Sequence, residues 1–506
     1  MRTFFNGPLR IAVVACFILG WGLFVSGPGT SHAVPSVSDL SISDAVADQL
    51  RLDQVFFTDR IDIVTRDGVV TLSGRVDNLL ARERTVRIAE QVKGVRAVVD
   101  TIEVVPPVLR SDSDIKKEVE NALVQDPATD SYEIQVDVAD NVVTLSGRVE
   151  SWQERTLSGK VAKGVKGVRD LRNTIDVLYD INRSDYEIRQ DVEQALRWDV
   201  LVDHALIDVG VENGMVTLSG IVGSLAERGR AATDAYVANV RGVDVEGLDV
   251  RLWARNDDLK GDKYKNLSDK AVRDAVADAL LYDPRVASFK VTPEVTSGLV
   301  TLRGTVDNLK AKRAAAGTAR HTVGVIQVAN RLKVRPEISP DDDILEDRIE
   351  RAFSRDPVVD AFDITPDVQN GVADLYGTVD NYFEKAQAED LAARINGIVA
   401  VRNHITVTGV YNPYPYNPYL DDWYAEDLWE VYIPAMTLKA DRTIKEDIEN
   451  EFFWSPFVDG EDIEVSVMDG KATLTGTVDS WREFNSASEN AFDGGAVVVY
   501  NQLTVL

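Results

Sequence analysis

A chain of 506 residues with 44% hydrophobic and 27% charged residues has a globular composition and room for several domains. Its 83 acidic against 55 basic residues leave a formal charge of −28, which excludes general affinity for nucleic acid or anionic lipid, because both need positive surface to displace counterions. Any contact with an anion must be local, and no nucleic-acid partner is expected.

Residues 1–33 read as a secretion signal. Arg2 and Arg10 supply the basic flank, Ile11–Val25 the apolar stretch, and Ser31-His32-Ala33 a small-residue cleavage pattern. Removal after Ala33 gives an exported chain; retention of residues 9–25 would instead anchor it in the inner membrane. The apolar stretch, interrupted by Gly20 and Gly22, falls short of the roughly 20 residues a spanning helix needs, which favours removal. The single cysteine, Cys16, lies in this stretch, so the mature chain is expected to hold itself together by packing without disulfides.

Beyond residue 33 one pattern returns six times. Val70-Thr71-Leu72-Ser73-Gly74-Arg75-Val76 recurs as Val143–Val149 and Val216–Val222, and in altered form as Val300–Val306, Ala373–Val379 and Ala472–Val478. The strand glycines Gly74, Gly147, Gly220, Gly304, Gly377 and Gly476 are spaced by 73, 73, 84, 73 and 99 residues. Three identical spacings define a module, and the two longer ones locate connections at 254–266 and 410–436. The modules then span 38–105, 111–179, 183–253, 267–336, 340–409 and 441–506.

Within each copy the elements follow one order. An amphipathic helix comes first: Ile115, Val119 and Leu123 recur as Ile188, Val192 and Leu196, and as Val272, Val276 and Leu280, an i, i+4, i+8 stripe that buries one face. Ser184-x-x-Glu187 and Thr443-x-x-Glu446 have the form of capping boxes, and Asp126-Pro127, Asp283-Pro284 and Asp356-Pro357 mark helix exits. Alternation at Ile134, Val136 and Val138 leads into a hairpin, with turn signals Asp67-Gly68, Asn213-Gly214, Asn370-Gly371 and Asp469-Gly470. The glycine strand follows, its glycine allowing the first helix or a neighbouring backbone to approach closely. A second helix, such as 152–166, leads to a last strand in which Arg172–Val177 matches Arg402–Val407. The fold class is therefore α+β: small tandem modules of α-β-β-α-β order, two helices on one face of a three-stranded mixed sheet.

These residues resemble the BON domain, a family named for bacterial osmotically inducible and nodulation proteins. The resemblance is carried by the V-x-L-x-G-x-V strand, by Gly94, Gly167, Gly324 and Gly397 before the last strand, and by the V-x-N-x-I-x-V strand itself. Copy three departs from it, with Glu246 where Asn173 and Asn330 stand. The resemblance implies a periplasmic or envelope-associated protein that attaches to phospholipid surfaces and protects the envelope under osmotic stress. It brings no catalytic residues, and fold-level analogy is a weak functional warrant.

The residues offer little chemistry of their own. His32, His204, His321 and His404 stand at unmatched positions, with no H-E-x-x-H or C-x-x-C, so neither an enzyme nor a bound cofactor or metal is expected. Gly159–Gly164 has the glycines of a phosphate loop but lacks the following Lys-Ser/Thr. Asp341-Asp342-Asp343 suits a helix N-terminus better than a calcium site, and the repeated Asn173, Asn330, Asn403 and Asn501 suit backbone hydrogen bonding. The Tyr411–Tyr419 run, followed by Trp423, Tyr424, Trp429 and Tyr432, reads as a semi-rigid aromatic spacer, with a lipid-interface or glycan contact as the alternative.

One module stands out by charge. Residues 267–336 hold twelve basic against six acidic residues, whereas 340–409 hold six against fifteen. Lys310, Lys312, Arg313, Arg320, Arg331 and Lys333 are therefore the candidates for contact with an anionic membrane surface, unless module 4 uses them to dock onto its acidic neighbours. The expected function is non-catalytic binding to phospholipid or other envelope surfaces; the alternative is a protein–protein assembly or secretion-linked adaptor.

Overall fold

A computed structural model describes residues 37–506 apart from 53–60, 127–128, 130–132, 180–182, 256–262, 264–266, 284–285, 287–289, 337–338, 409–439, 456, 469 and 497. The expected signal segment and the aromatic connection lie outside the described residues. No described helix is long and apolar enough to cross a membrane.

Each module follows the expected order, and module 2 serves as the reference. Its first helix, Asp112–Gln125, is followed by the hairpin Ile134–Ala139 and Val142–Val149, the second helix Trp152–Lys163, and a last strand split into Asp170–Asn173 and Asp176–Val177. The glycine strand is central. It pairs antiparallel with the strand before it and parallel with the last, the second helix providing the crossover that parallel pairing requires. Ile115, Val119 and Leu123 of the first helix meet Val143 and Leu145 of the central strand in the core, all at most 1% exposed. Each such burial stabilises the module by roughly 1.5–3 kcal/mol.

The first helix of every module begins with an aspartate that grips the hairpin turn. Asp39, Asp112, Asp185, Asp269, Asp342 and Asp441 accept backbone N–H groups at Asp67/Gly68, Asp140/Asn141, Asn213/Gly214, Ser297/Gly298, Asn370/Gly371 and Gly470 respectively. These turns carry positive φ, as two-residue hairpins of the primed type require. Asp342, in the middle of the acidic run 341–343, is thus a structural anchor at a helix start. The Ser184–Glu187 capping box forms. Thr443-x-x-Glu446 does not: that helix starts at Asp441, whose carboxylate is committed to the Gly470 turn, and Thr443 lies inside it.

Candidate functional site

The two faces of a module differ in what they offer. The helices cover one side of the sheet, while alternate strand residues on the other side remain open. In module 4 the first strand Val291–Thr296 places Thr292 beside Arg303 of the central strand Leu299–Val306, and Lys333 of the last strand lies beside Thr305. Lys290, Arg303, Arg331, Lys333 and Arg335 are exposed along this side. Arg303 pairs with Glu294 at 2.9 Å and Lys290 with Asp307 at 3.3 Å. Arg331, Lys333 and Arg335 make no ion pair among the described residues.

The other candidates behave differently. Lys310, Lys312, Arg313 and Arg320 lie on the second helix of module 4, Leu309–Arg320, which packs against module 5. Lys310 Nζ donates to Asp390 Oδ1 at 2.6 Å, with the two side chains 20% and 0% exposed. Arg313 donates to Glu389 Oε1 at 2.5 Å and is 13% exposed. Arg394 also donates to Asp390, at 2.7 Å, and lies 3.9 Å from Asp126 of module 2. Burial pushes the Asp390 carboxyl up, but Arg394, Lys310 and Arg313 outweigh burial and hold it well below the usual carboxylate range. Lys312 and Arg320 are half-buried. Two of the six basic candidates, Lys310 and Arg313, are therefore committed to module 5, and the open sheet side adds Lys290, Arg303 and Arg335, which their position in the sequence did not single out.

The repeated asparagine ties two elements of its own module together. Asn173 donates to the Arg155 carbonyl of the second helix at 2.7 Å while its Oδ1 accepts from Ile175 N–H, at the break in the last strand. Asn330, Asn403 and Asn501 do the same with Lys312, Lys385 and Phe484. In copy three the last strand, Gly242–Val250, is irregular between Asp244 and Gly247, and Asp244 accepts from Glu246 N–H instead.

Module 3 holds a further charged group. Lys263, from the connection to module 4, donates to the carbonyls of Asp199 and Val202. Burial pushes its ammonium pKa down, against the opposing pull of Asp199, Asp203, Glu227 and Asp234. Burial also pushes the Glu227 carboxyl up to about 7, although it accepts N–H groups from Asp203 and Gly223. Among the described residues no cluster of His, Cys, Asp or Glu is arranged to hold a metal ion.

A small cavity of about 50 Å³ lies between modules 2 and 5, walled by Gln125, Asp126, Lys160, Arg355, Asp356 and Arg394 among others. That volume suits one or a few waters.

The architecture defines a tandem protein of α-β-β-α-β modules joined through their helices. It belongs to the BON domain family, whose sequence profile matches residues 38–106, 111–179, 184–251, 268–336, 341–409 and 440–506. The chain is also similar to osmotically-inducible protein Y of Escherichia coli (strain K12), 33% identical over 129 residues. The match involves 24% of this chain and spans 64% of that protein's length. Among solved structures, CdsD, a structural protein of the type III secretion system of Chlamydia trachomatis, aligns over 46% of this chain and 96% of its own at 14% identity, with a TM-score of 0.13. The PrgH periplasmic domain aligns over 40% of this chain and 99% of its own at 14% identity, with a TM-score of 0.12.

Proposed function

We propose that this chain is a non-catalytic periplasmic protein that attaches to phospholipid or another anionic component of the cell envelope and supports the envelope under osmotic stress. The observation that carries this reading is the row Arg331, Lys333 and Arg335, on the open sheet side of the one basic module in an acidic chain, exposed and without ion-pair partners among the described residues. Kinship with an osmotically inducible protein supports the physiological setting. A single module face would bind weakly, and attachment at more than one point would multiply the affinity.

The test is co-sedimentation of the full mature chain with vesicles containing anionic lipid, at low and high salt. Replacing Arg331, Lys333 and Arg335 by glutamine should remove most of the salt-sensitive binding. Binding that survives this triple change would locate the attachment elsewhere or end the lipid reading.

The second reading is an assembly or adaptor protein, and it too has an observation behind it: the modules bind one another extensively within the chain. Crosslinking in whole cells separates the two, since an adaptor yields defined protein partners whether or not the basic row is intact.

A further inference from the structure

Three side-chain contacts join modules that are remote in sequence. Gln49 donates to Glu451 at 2.8 Å across 402 positions, Arg355 donates to Gln125 at 2.7 Å across 230, and Gln194 donates to Asp278 at 3.1 Å across 84. The strand glycines of the same module pairs, Gly74/Gly476, Gly147/Gly377 and Gly220/Gly304, are separated by the same 402, 230 and 84 positions. A residue of one first helix thus meets its own counterpart in the other module. That is the mark of a two-fold, isologous joint, since a head-to-tail joint brings unlike positions together.

Backbone bonds tighten the same three joints. Lys93 N–H donates to the Trp454 carbonyl at 3.1 Å, Lys166 to Arg355 at 2.7 Å and Val323 to Trp198 at 2.8 Å. Each donor directly precedes the glycine before a last strand, and each acceptor is the last residue of a first helix. In the 3–4 pair Val200 N–H also donates to the His321 carbonyl at 2.9 Å, completing an antiparallel bridge between Asp199 and Thr322.

Modules 1, 2 and 3 therefore meet modules 6, 5 and 4. Neighbours joined by the 73-residue spacing meet differently, through their second helices and the residues just beyond them: Lys163 with Glu83, Gln153 with the Tyr236 carbonyl, and Lys310 with Asp390. The change from one joint to the other coincides with the 84-residue spacing and its longer connection at 254–266.

We infer that residues 37–253 and 267–506 are two docking partners that recognise each other through three copies of one quasi-two-fold joint, and that the matching half of a second copy of the chain fits the same surface. The connection then acts as a tether that sets a high local concentration.

The experiment uses the full chain with a site-specific protease sequence inserted between Asp257 and Asp258, in a preparation whose uncut form elutes as the parent does. After complete cleavage the two halves should elute together at the mass of one chain. Halves that elute apart overturn the docking. Nicked protein with a tagged first half is then mixed with untagged nicked protein, dissociated in mild urea and diluted; mixed pairs carrying the tag and the other copy's second half should form. Recovery of original pairs alone, or of no pairs, overturns the fit to a second copy. In nicked protein Arg355→Glu should raise the concentration at which the halves part by tenfold or more; no change would show that the equivalent positions do not form the joint.

Discussion

The carboxylate of Asp112 accepts the backbone N–H of Asn141 at 2.8 Å and that of Asp140 at 3.0 Å, so the start of the first helix holds the turn of the hairpin it packs on. Charge-assisted bonds of this kind are worth more than neutral ones, and a turn with two residues at positive φ needs its N–H groups satisfied. Asp112→Ala is expected to lower stability by about 1–3 kcal/mol. Asp112→Asn should cost less, because its amide oxygen can still accept one of the two. Amide exchange at residues 140 and 141 reads the clamp directly: turn amides that exchange no faster in the alanine variant would show that the carboxylate is not what holds them.

Gly147 tests a second contact. Its φ is +126°, and a Cβ there would lie 2.0 Å from the carbonyl oxygen of Glu133, the residue before the neighbouring strand. Gly220, Gly304, Gly377 and Gly476 stand in the same situation at 1.9–2.1 Å. Gly147→Ala combines backbone strain with a collision against main chain that has no rotamer to change, so a loss of about 2 kcal/mol or more is expected, and Gly147→Val should be worse. A denaturant midpoint unchanged in Gly147→Ala would mean that the strand can shift away from its neighbour at little cost.

What can be read along the chain is whatever repeats locally. The 73-residue period, the Ile115–Val119–Leu123 stripe and the turn dipeptides each rest on a few adjacent residues, and they specify elements and order. The glycine's purpose is half legible: a close approach follows from its place in the strand, but whether helix or strand approaches depends on pairing across the hairpin. Turns without a signature, such as Asp140-Asn141, and the aspartate clamp escape a local reading for the same reason, because Asp112 and Asn141 are 29 residues apart. Least legible is the docking side of the modules. Lys310 and Arg313 look like any exposed basic pair on a helix until Asp390 and Glu389, 80 and 76 positions away, are brought against them. Counting charge finds the unusual module but cannot tell its docking side from its open one.

Two carboxyl groups, half-buried Glu227 and fully buried Asp390, should bend the pH profile in opposite directions. Glu227 is raised to about 7, so the folded state holds its proton more tightly than the unfolded chain, whose glutamate titrates near ~4.3. Its penalty is fully present above about 7 and is relieved as pH falls from there towards the unfolded value. Asp390 is held low by its three cationic neighbours, so its contribution is present above the unfolded value of ~3.9 and is lost as pH falls below it. Melting temperatures of the parent and of Glu227→Gln should therefore converge as pH drops from about 8 to about 5, whereas those of the parent and Asp390→Asn should converge only below about 4. Parallel curves for either pair would remove that carboxyl from the account.

The last prediction separates the two sides of module 4. Lys310 and Arg313 face the carboxylates of Asp390 and Glu389, and Asp390 has no exposed surface through which water could replace a lost partner. Replacing both cations by methionine leaves Asp390 with Arg394 alone among its close ion-pair partners. Removing one side of a buried pair costs about 3–5 kcal/mol, so even with Arg394 in place a loss on the order of 2–4 kcal/mol is expected. Replacing Arg331 and Lys333 by glutamine touches only exposed side chains, for which changes within about 0.5 kcal/mol are usual. Near an anionic membrane each of those charges contributes on the order of 1 kcal/mol, so binding to anionic vesicles should fall at least tenfold at low salt. Denaturant midpoints and vesicle binding, measured on both double variants of residues 34–506, should therefore respond separately: stability falls without binding for Lys310 and Arg313, and binding falls without stability for Arg331 and Lys333. A Lys310/Arg313 variant as stable as the parent would show that the ion pairs to module 5 do not hold the two modules together. Equal vesicle binding by the Arg331/Lys333 variant and the parent would by itself take the open sheet side out of the membrane contact.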